Sequence, residues 1–326
     1  MKNKQIARVM LALLLCSYGG VVQAADKVLI DGTNSNELIN VTGTGNRIVA
    51  KDGTTHIGYR DGNDNGGMLQ VSNGAAMVFE AGSTVTLNEG TQIPRAIHIL
   101  GSGSTGTFSG ILNINDGSTY NPRAIHVNGN LTGAITEANF TAGSVTTITD
   151  TTGAANGSKF GLVASNGTIN IAGKVTSTYD GNNSAPVLIG FTTVGVAAWT
   201  NSYVNVLNGG ELNALSNTGE VRAIRLERGG HLTSEAGSTI TAITKGTQTA
   251  SSAIYVGNNS TVDTLGNVIL DATNNAIYLE NTNDLHYLNI DGATHNQKVQ
   301  ITGNITNIVN QVGSEGSYIS VAFGNS

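Results

Sequence analysis

From Leu69 onward, apolar residues stand two apart in short runs: Leu69 and Val71, Val85 and Leu87, Leu112 and Ile114, Ile169 and Ile171, Val204 and Val206, Val268 and Leu270, Leu288 and Ile290. Side chains two apart along an extended chain share a face, so each run predicts a short strand with one buried side. Between the runs stand turn words such as Asn73-Gly74, Asn88-Glu89-Gly90, Asp116-Gly117, Asn166-Gly167 and Asn208-Gly209. These residues tolerate left-handed backbone and so close strands off. No stretch after residue 24 has a sustained helical period.

One strand recurs. It reads Arg95-Ala96-Ile97-His98-Ile99, then Arg123-Ala124-Ile125-His126-Val127, Arg222-Ala223-Ile224-Arg225-Leu226, Ser252-Ala253-Ile254-Tyr255-Val256 and Asn275-Ala276-Ile277-Tyr278-Leu279. Gly161-Leu162-Val163-Ala164 and Pro186-Val187-Leu188-Ile189 are weaker relatives. Anchored on the small residue, the copies are 23 to 37 residues apart. A period in this range means a stacked array, and its variable length suits a coil of strands whose loops grow outward. Two smaller echoes agree: Glu80-Ala81-Gly82-Ser83-Thr84 returns as Glu235-Ala236-Gly237-Ser238-Thr239, and Leu112-Asn113-Ile114-Asn115-Asp116-Gly117 resembles Val204-Asn205-Val206-Leu207-Asn208-Gly209.

The fold expected is all-β: a right-handed parallel β-helix with two or three strands per coil, the hand being the usual one for parallel connections. About a dozen coils would give a rod on the order of 50–60 Å long. An antiparallel sandwich or barrel is the competing fold, and it would call for regular hairpins and more aromatic filling. If the copies stack, His98, His126, Val163, Leu188, Arg225, Tyr255 and Tyr278 form one outward ladder, basic at one end and aromatic at the other. This ladder is the candidate binding surface; an ordinary exposed face is the plain alternative. Two histidines without a third ligand make a poor zinc site.

Composition changes the picture in two ways. The first residues carry Lys2, Lys4 and Arg8, then an apolar run from Val9 to Leu15, then Val22-Gln23-Ala24. That is the pattern of a secretory signal peptide cut after Ala24, too short to span a membrane. Cys16 follows Leu15, which is not the small residue a lipoprotein signal needs. Cleavage removes the chain's single cysteine and takes the net charge from −6 to −9. Residues 25–326 are then an acidic, cysteine-free domain, unsuited to nucleic acid or to anionic membranes. Charged residues are only 12%, yet 39% are hydrophobic, so the low charge does not signal disorder.

Catalytic signals are sparse. Gly101-Ser102-Gly103-Ser104-Thr105-Gly106 fits the dinucleotide pattern, but no helix follows to receive a pyrophosphate. Asp61-Gly62-Asn63-Asp64-Asn65-Gly66-Gly67 offers oxygen ligands without the spacing of a calcium loop. Parallel β-helix enzymes that cut acidic polysaccharides need carboxylates on neighbouring coils. Asp116, Asp150, Asp180, Asp263, Asp271 and Asp291 read as scattered turn residues with no two at matching repeat positions. A polysaccharide lyase or hydrolase is therefore the second reading. No enzyme activity, metal or cofactor is expected.

The signal peptide, the cysteine-free remainder and phrases such as Tyr203-Val204-Asn205-Val206-Leu207-Asn208-Gly209-Gly210-Glu211-Leu212 give the chain its family likeness. It resembles the passenger of a classical autotransporter, of the pertactin-like and self-associating adhesin kind. The resemblance implies a β-helix displayed on the outer membrane and acting in adhesion, aggregation or biofilm. Its partners would be host glycans, matrix protein or copies of itself. The Gly-Asp-Ser-Gly motif of the family's proteases is absent, which implies a non-proteolytic member. Family members end in a membrane barrel with a terminal aromatic residue. This chain ends at Val321-Ala322-Phe323-Gly324-Asn325-Ser326, so the expectation is a truncated passenger, a pseudogene remnant or a fragment. Without a barrel it would stop in the periplasm or be secreted. The apolar words from Val299 to Val321 are expected to leave a sticky strand edge there.

Overall fold

The computed structural model describes residues 25–61, 66–92, 95–119, 121–152, 158–191, 200–280, 286–306 and 318–322. The expected signal peptide, most of the Asp61–Gly67 turn, and Ile308-Val309 lie outside these residues. Among the described residues the structure is strand and turn, with one 3-10 turn at Ala293–His295. Each coil holds three strands, and strands pair in parallel with the coils before and after. The fold is a parallel β-solenoid. The antiparallel alternative fails because every strand ladder is parallel.

The first face is an eleven-stranded sheet running from Asp26–Val28 to Tyr318–Val321. Eleven strands at about 4.8 Å place its two ends roughly 50 Å apart. The second face carries Thr84–Glu89, Ile111–Asp116, Val145–Asp150 and their successors. The third carries the recurring strand, as at Ile97–Leu100, Arg123–Asn128 and Ser252–Val256. The last two faces merge through the long strand Asn267–Leu279, which turns the corner between them.

Alternation does what the sequence asks of it. On the third face Ile97, Ile125, Leu162, Val187, Ile224, Ile254 and Ile277 stand in one register row, fully buried. On the first face Phe79, Phe108 and Phe140 follow one another inside the coil, with ring centroids 5.2 and 5.0 Å apart. The rings fit because Gly106 stands beside them: a Cβ there would come within 3.0 Å of the Phe108 ring. Like residues on like residues form one continuous apolar core from Leu29 to Ile290.

Turns repeat as well. In both Glu80-Ala81-Gly82-Ser83 and Glu235-Ala236-Gly237-Ser238 the buried serine hydroxyl donates to the glutamate carbonyl, at 2.7 and 2.6 Å. Each glutamate side chain accepts a backbone N–H from the preceding coil, from Asp52 and Asn208, both at 2.8 Å. Asn73 and Asn166 take the left-handed conformation expected of turn residues. Asn88-Glu89-Gly90 and Asp116-Gly117 behave differently: Glu89 and Asp116 are the last residues of their strands, with buried side chains.

Candidate binding surfaces

The ladder expected on the third face is in register throughout. His98 pairs with His126, His126 with Val163, Val163 with Leu188, Leu188 with Arg225, Arg225 with Tyr255, and Tyr255 with Tyr278. The rings stack: His98 on His126 at 5.1 Å, Tyr255 on Tyr278 at 5.6 Å. The ladder is not an open surface, however. His98, His126, Val163, Leu188 and Tyr255 are all buried, and only Arg225 and Tyr278 are half-buried. A small second core lies over it, built from Phe160, Val163, Ala185 and Leu188 with Phe191 packed against them. The Phe191 ring meets the edge of His126, and the Arg123 guanidinium lies 4.3 Å from its centroid. Arg222 covers Tyr255 in the same way, at 4.5 Å.

Phe191 reaches this position through Gly190. Gly190 has φ +91°, and a Cβ there would lie 1.7 Å from the Glu227 carbonyl oxygen. The backbone of the next coil thus forbids any side chain. Gly190→Ala is expected to lose at least about 2 kcal/mol of stability, from the left-handed strain and the clash together. A urea midpoint equal to that of the parent would show that this turn is not fixed as described.

Inside the second face a polar row contradicts the view of scattered acids. Glu89 pairs with Asp116 and Asp116 with Asp150, three carboxyl groups at one position of successive coils. Arg60 precedes them in the same row. Burial first, then the charge of Asp116, pushes Glu89 well above the usual carboxylate range. Among the described residues neither Glu89 oxygen has a hydrogen-bond partner, which fits a carboxyl group kept protonated. Asp116 is also raised by burial, against hydrogen bonds from the Tyr179 hydroxyl and the Ser118 N–H. Lys159 closes the row, with Nζ 3.0 Å from both Asp150 oxygens and a further bond to the Thr152 hydroxyl. The lysine and aspartate side chains are 1% and 2% exposed, out of reach of a polymer.

The open surface lies on the first face, where reading the sequence did not place it. Its outward positions form two rows. One runs Asn139, Asn170, Asn205, Thr233, Asp263, Asn289. Asn205 donates to Asn170 at 2.9 Å, Asn170 to Asn139 at 2.8 Å, and Thr233 to Asn205 at 2.8 Å. The other row runs Thr168, Tyr203, His231, Thr261, Tyr287. Tyr203 and His231 stack at 4.7 Å with planes 10° apart. The signal was present in the sequence: Asn170 sits between Ile169 and Ile171, Asn205 between Val204 and Val206, Asn289 between Leu288 and Ile290. The apolar pairs define the strand, while the residue between them defines the surface.

Among the described residues no group of three or more His, Cys, Asp or Glu could hold a metal ion, and no helix is long and apolar enough to cross a membrane. Fold and surface together define a parallel β-solenoid with an amide-rich outer face. Comparison with models of protein families, with curated proteins and with solved structures gives no match for this chain.

Proposed function

We propose that the chain is an exported, non-catalytic binding rod of the autotransporter-passenger kind, acting in adhesion, aggregation or biofilm formation. Its partners are host glycans, matrix protein or further copies of the chain. The observation that carries this reading is the pair of outward rows on the first face. They offer amides and hydroxyls along the coils, with rings at Tyr203, His231 and Tyr287, a periodic surface suited to a long partner. The second face adds to it, with Asn115 donating to Asn88 at 2.8 Å and Asn213 to Thr176 at 3.3 Å. Export rests on the sequence of residues 1–24, and surface display on delivery by a translocator barrel; otherwise the rod is periplasmic or secreted.

A polysaccharide lyase or hydrolase is the second reading, because Glu89, Asp116 and Asp150 do line up on adjacent coils. Their burial favours the binding rod: a cleavage site must admit its substrate to the acid and the base. Purified residues 25–326 are expected to be retained on immobilised glycan or matrix protein, or to associate with themselves. They are expected to release no unsaturated or reducing ends from acidic polysaccharides, with or without calcium. Sustained release that stops on Asp116→Asn would overturn the binding reading in favour of the enzyme.

A further inference from the structure

Among the described residues, the row leaves both outer faces of the ring pair on the first face without a ring stacked on them. Tyr203 is stacked on His231 on one side; its other neighbour in the row is Thr168, too small to cover the ring. Beyond His231 the next residue is Thr261, equally small. A cavity opens at each end of the pair. The one at Tyr203 holds about 240 Å³, with Thr168 and Asn166 among its lining and Leu131 and Ile135 along its wall. Leu131 and Ile135 are 53% and 69% exposed, conspicuous for apolar side chains outside a strand. The second cavity, about 330 Å³, lies beside His231 and Asn259, and the two share Asn201.

The chemistry of this cleft is narrow. It offers an aromatic face, an aliphatic wall and primary amides, and none of the residues lining either cavity is acidic, lysine or arginine. Burial holds His231 below its ordinary value, so it is neutral at pH 7. An anionic ligand would find no counter-ion in this lining and would lose its hydration without return. A sugar ring fits the set: its C–H face lies on an aromatic ring, and its hydroxyl edge both donates to and accepts from amides. The first cavity is smaller than a site that encloses a drug-sized ligand, so it takes one ring and leaves the rest of the chain outside.

We infer that this cleft binds one pyranose ring of a neutral glycan, laid on the free face of Tyr203 over Thr168, with the cavity beside His231 receiving the next unit. The inference rests on the binding-rod reading and names a site and ligand class within it. The measurement is retention of residues 25–326 on immobilised neutral glycans (dextran, mannan, chito- and cello-oligosaccharides) against heparin and hyaluronan, at several salt concentrations. Binding to at least one neutral glycan is expected, insensitive to salt because no ion pair is involved. Tyr203→Ala should weaken it at least tenfold, and Tyr203→Phe should keep it, since the ring face and not the hydroxyl does the stacking. Ile135→Ser, at an exposed position that cannot disturb the fold, should weaken it several-fold. Preference for the acidic polymers, retention unchanged in Tyr203→Ala, or no retention on any neutral glycan would each overturn the site. In those cases binding to matrix protein, to acidic polymers or to further copies, assayed in parallel, reports separately whether the binding-rod reading stands.

Discussion

Lys159→Met is expected to destabilise the solenoid by about 3–5 kcal/mol, because it strands a buried carboxylate. Asp150 is bonded to Lys159 through both oxygens and sits next in register to Asp116, which is itself next to Glu89. With the ammonium gone, the row of carboxyl groups keeps no cation at this end, and its charge faces a low-dielectric corner. The double variant Lys159→Met/Asp150→Leu should recover most of the loss, since removing both partners of a buried pair is far cheaper than removing one. Stacked arrays need not unfold in one step. The effect is therefore read both as a urea midpoint and as hydrogen-exchange protection of Val145–Asp150 and Phe160–Ser165. A single variant no weaker than the double would mean that the ion pair does not neutralise the row.

The second large effect is a dependence on acid carried by His98 and His126. His98 is held down to about 3, by burial first and then by the charges of Arg95 and Arg123. His126 is held well below its ordinary value by burial, His98 and the same two arginines. The hydrogen bonds agree with neutral rings: His98 Nδ1 lies 3.0 Å from Gln70 Oε1, and His126 Nδ1 accepts from Arg95 Nε at 3.1 Å. Among the described residues neither Nε2 has a partner. Phe191 closes the remaining side of His126.

In the unfolded chain both rings take up protons near pH 6.5, whereas the folded protein keeps them neutral. The unfolded state then binds more protons, and stability falls as pH drops from about 6.5 towards 3. Each histidine contributes a slope of up to ~1.4 kcal/mol per pH unit. Glu89 and Asp116 act in the opposite sense: both are raised, so each removes stability as pH climbs above its unfolded value. The two pairs offset each other in the parent protein. The informative quantity is the stability difference between the parent and His98→Gln/His126→Gln, followed from pH 7 to pH 4. It should move steadily in favour of the variant as pH falls. A difference that does not change with pH would remove the histidines as the source.

What the sequence made legible, and what it did not, divides along a physical line. The recurring small-Ile-x-apolar strand carries its own register, because a slip by one residue would turn every Ile outward. The seven ladder residues accordingly stack as aligned. Their burial was not legible: Phe160, Phe191 and Arg222 cover them, and nothing periodic marks those residues as a roof. The acid row was hidden for another reason. Val85, Leu87 and Glu89 alternate inward, as do Leu112, Ile114 and Asp116. A carboxylate beside glycine reads as a turn, although here it occupies the third inward position of a strand. The first-face surface was not legible because the apolar pairs carry the periodicity, while the residue between them varies from Asn to Thr to Asp.

The bond from the Tyr179 hydroxyl to Asp116 joins residues 63 apart in the chain. Most side-chain contacts in this molecule join a coil only to the one before or after it. A rod held that way can gain or lose a coil by duplication or deletion, since each junction resembles the next. Tyr179, Asp116, Glu89, Asp150 and Lys159 break that interchangeability, as does the Phe79-Phe108-Phe140 stack with its glycine. Between residues 79 and 179 the coils are keyed to one another and cannot be shuffled. From Ser202 to Thr264 the inward positions of the first face carry only glycine, hydroxyl and aliphatic residues: Ser202, Val204 and Val206, then Gly230, Leu232 and Ser234, then Val262 and Thr264. There the lineage of such a rod has freedom to lengthen or shorten, so its reach can evolve separately from its rigid centre.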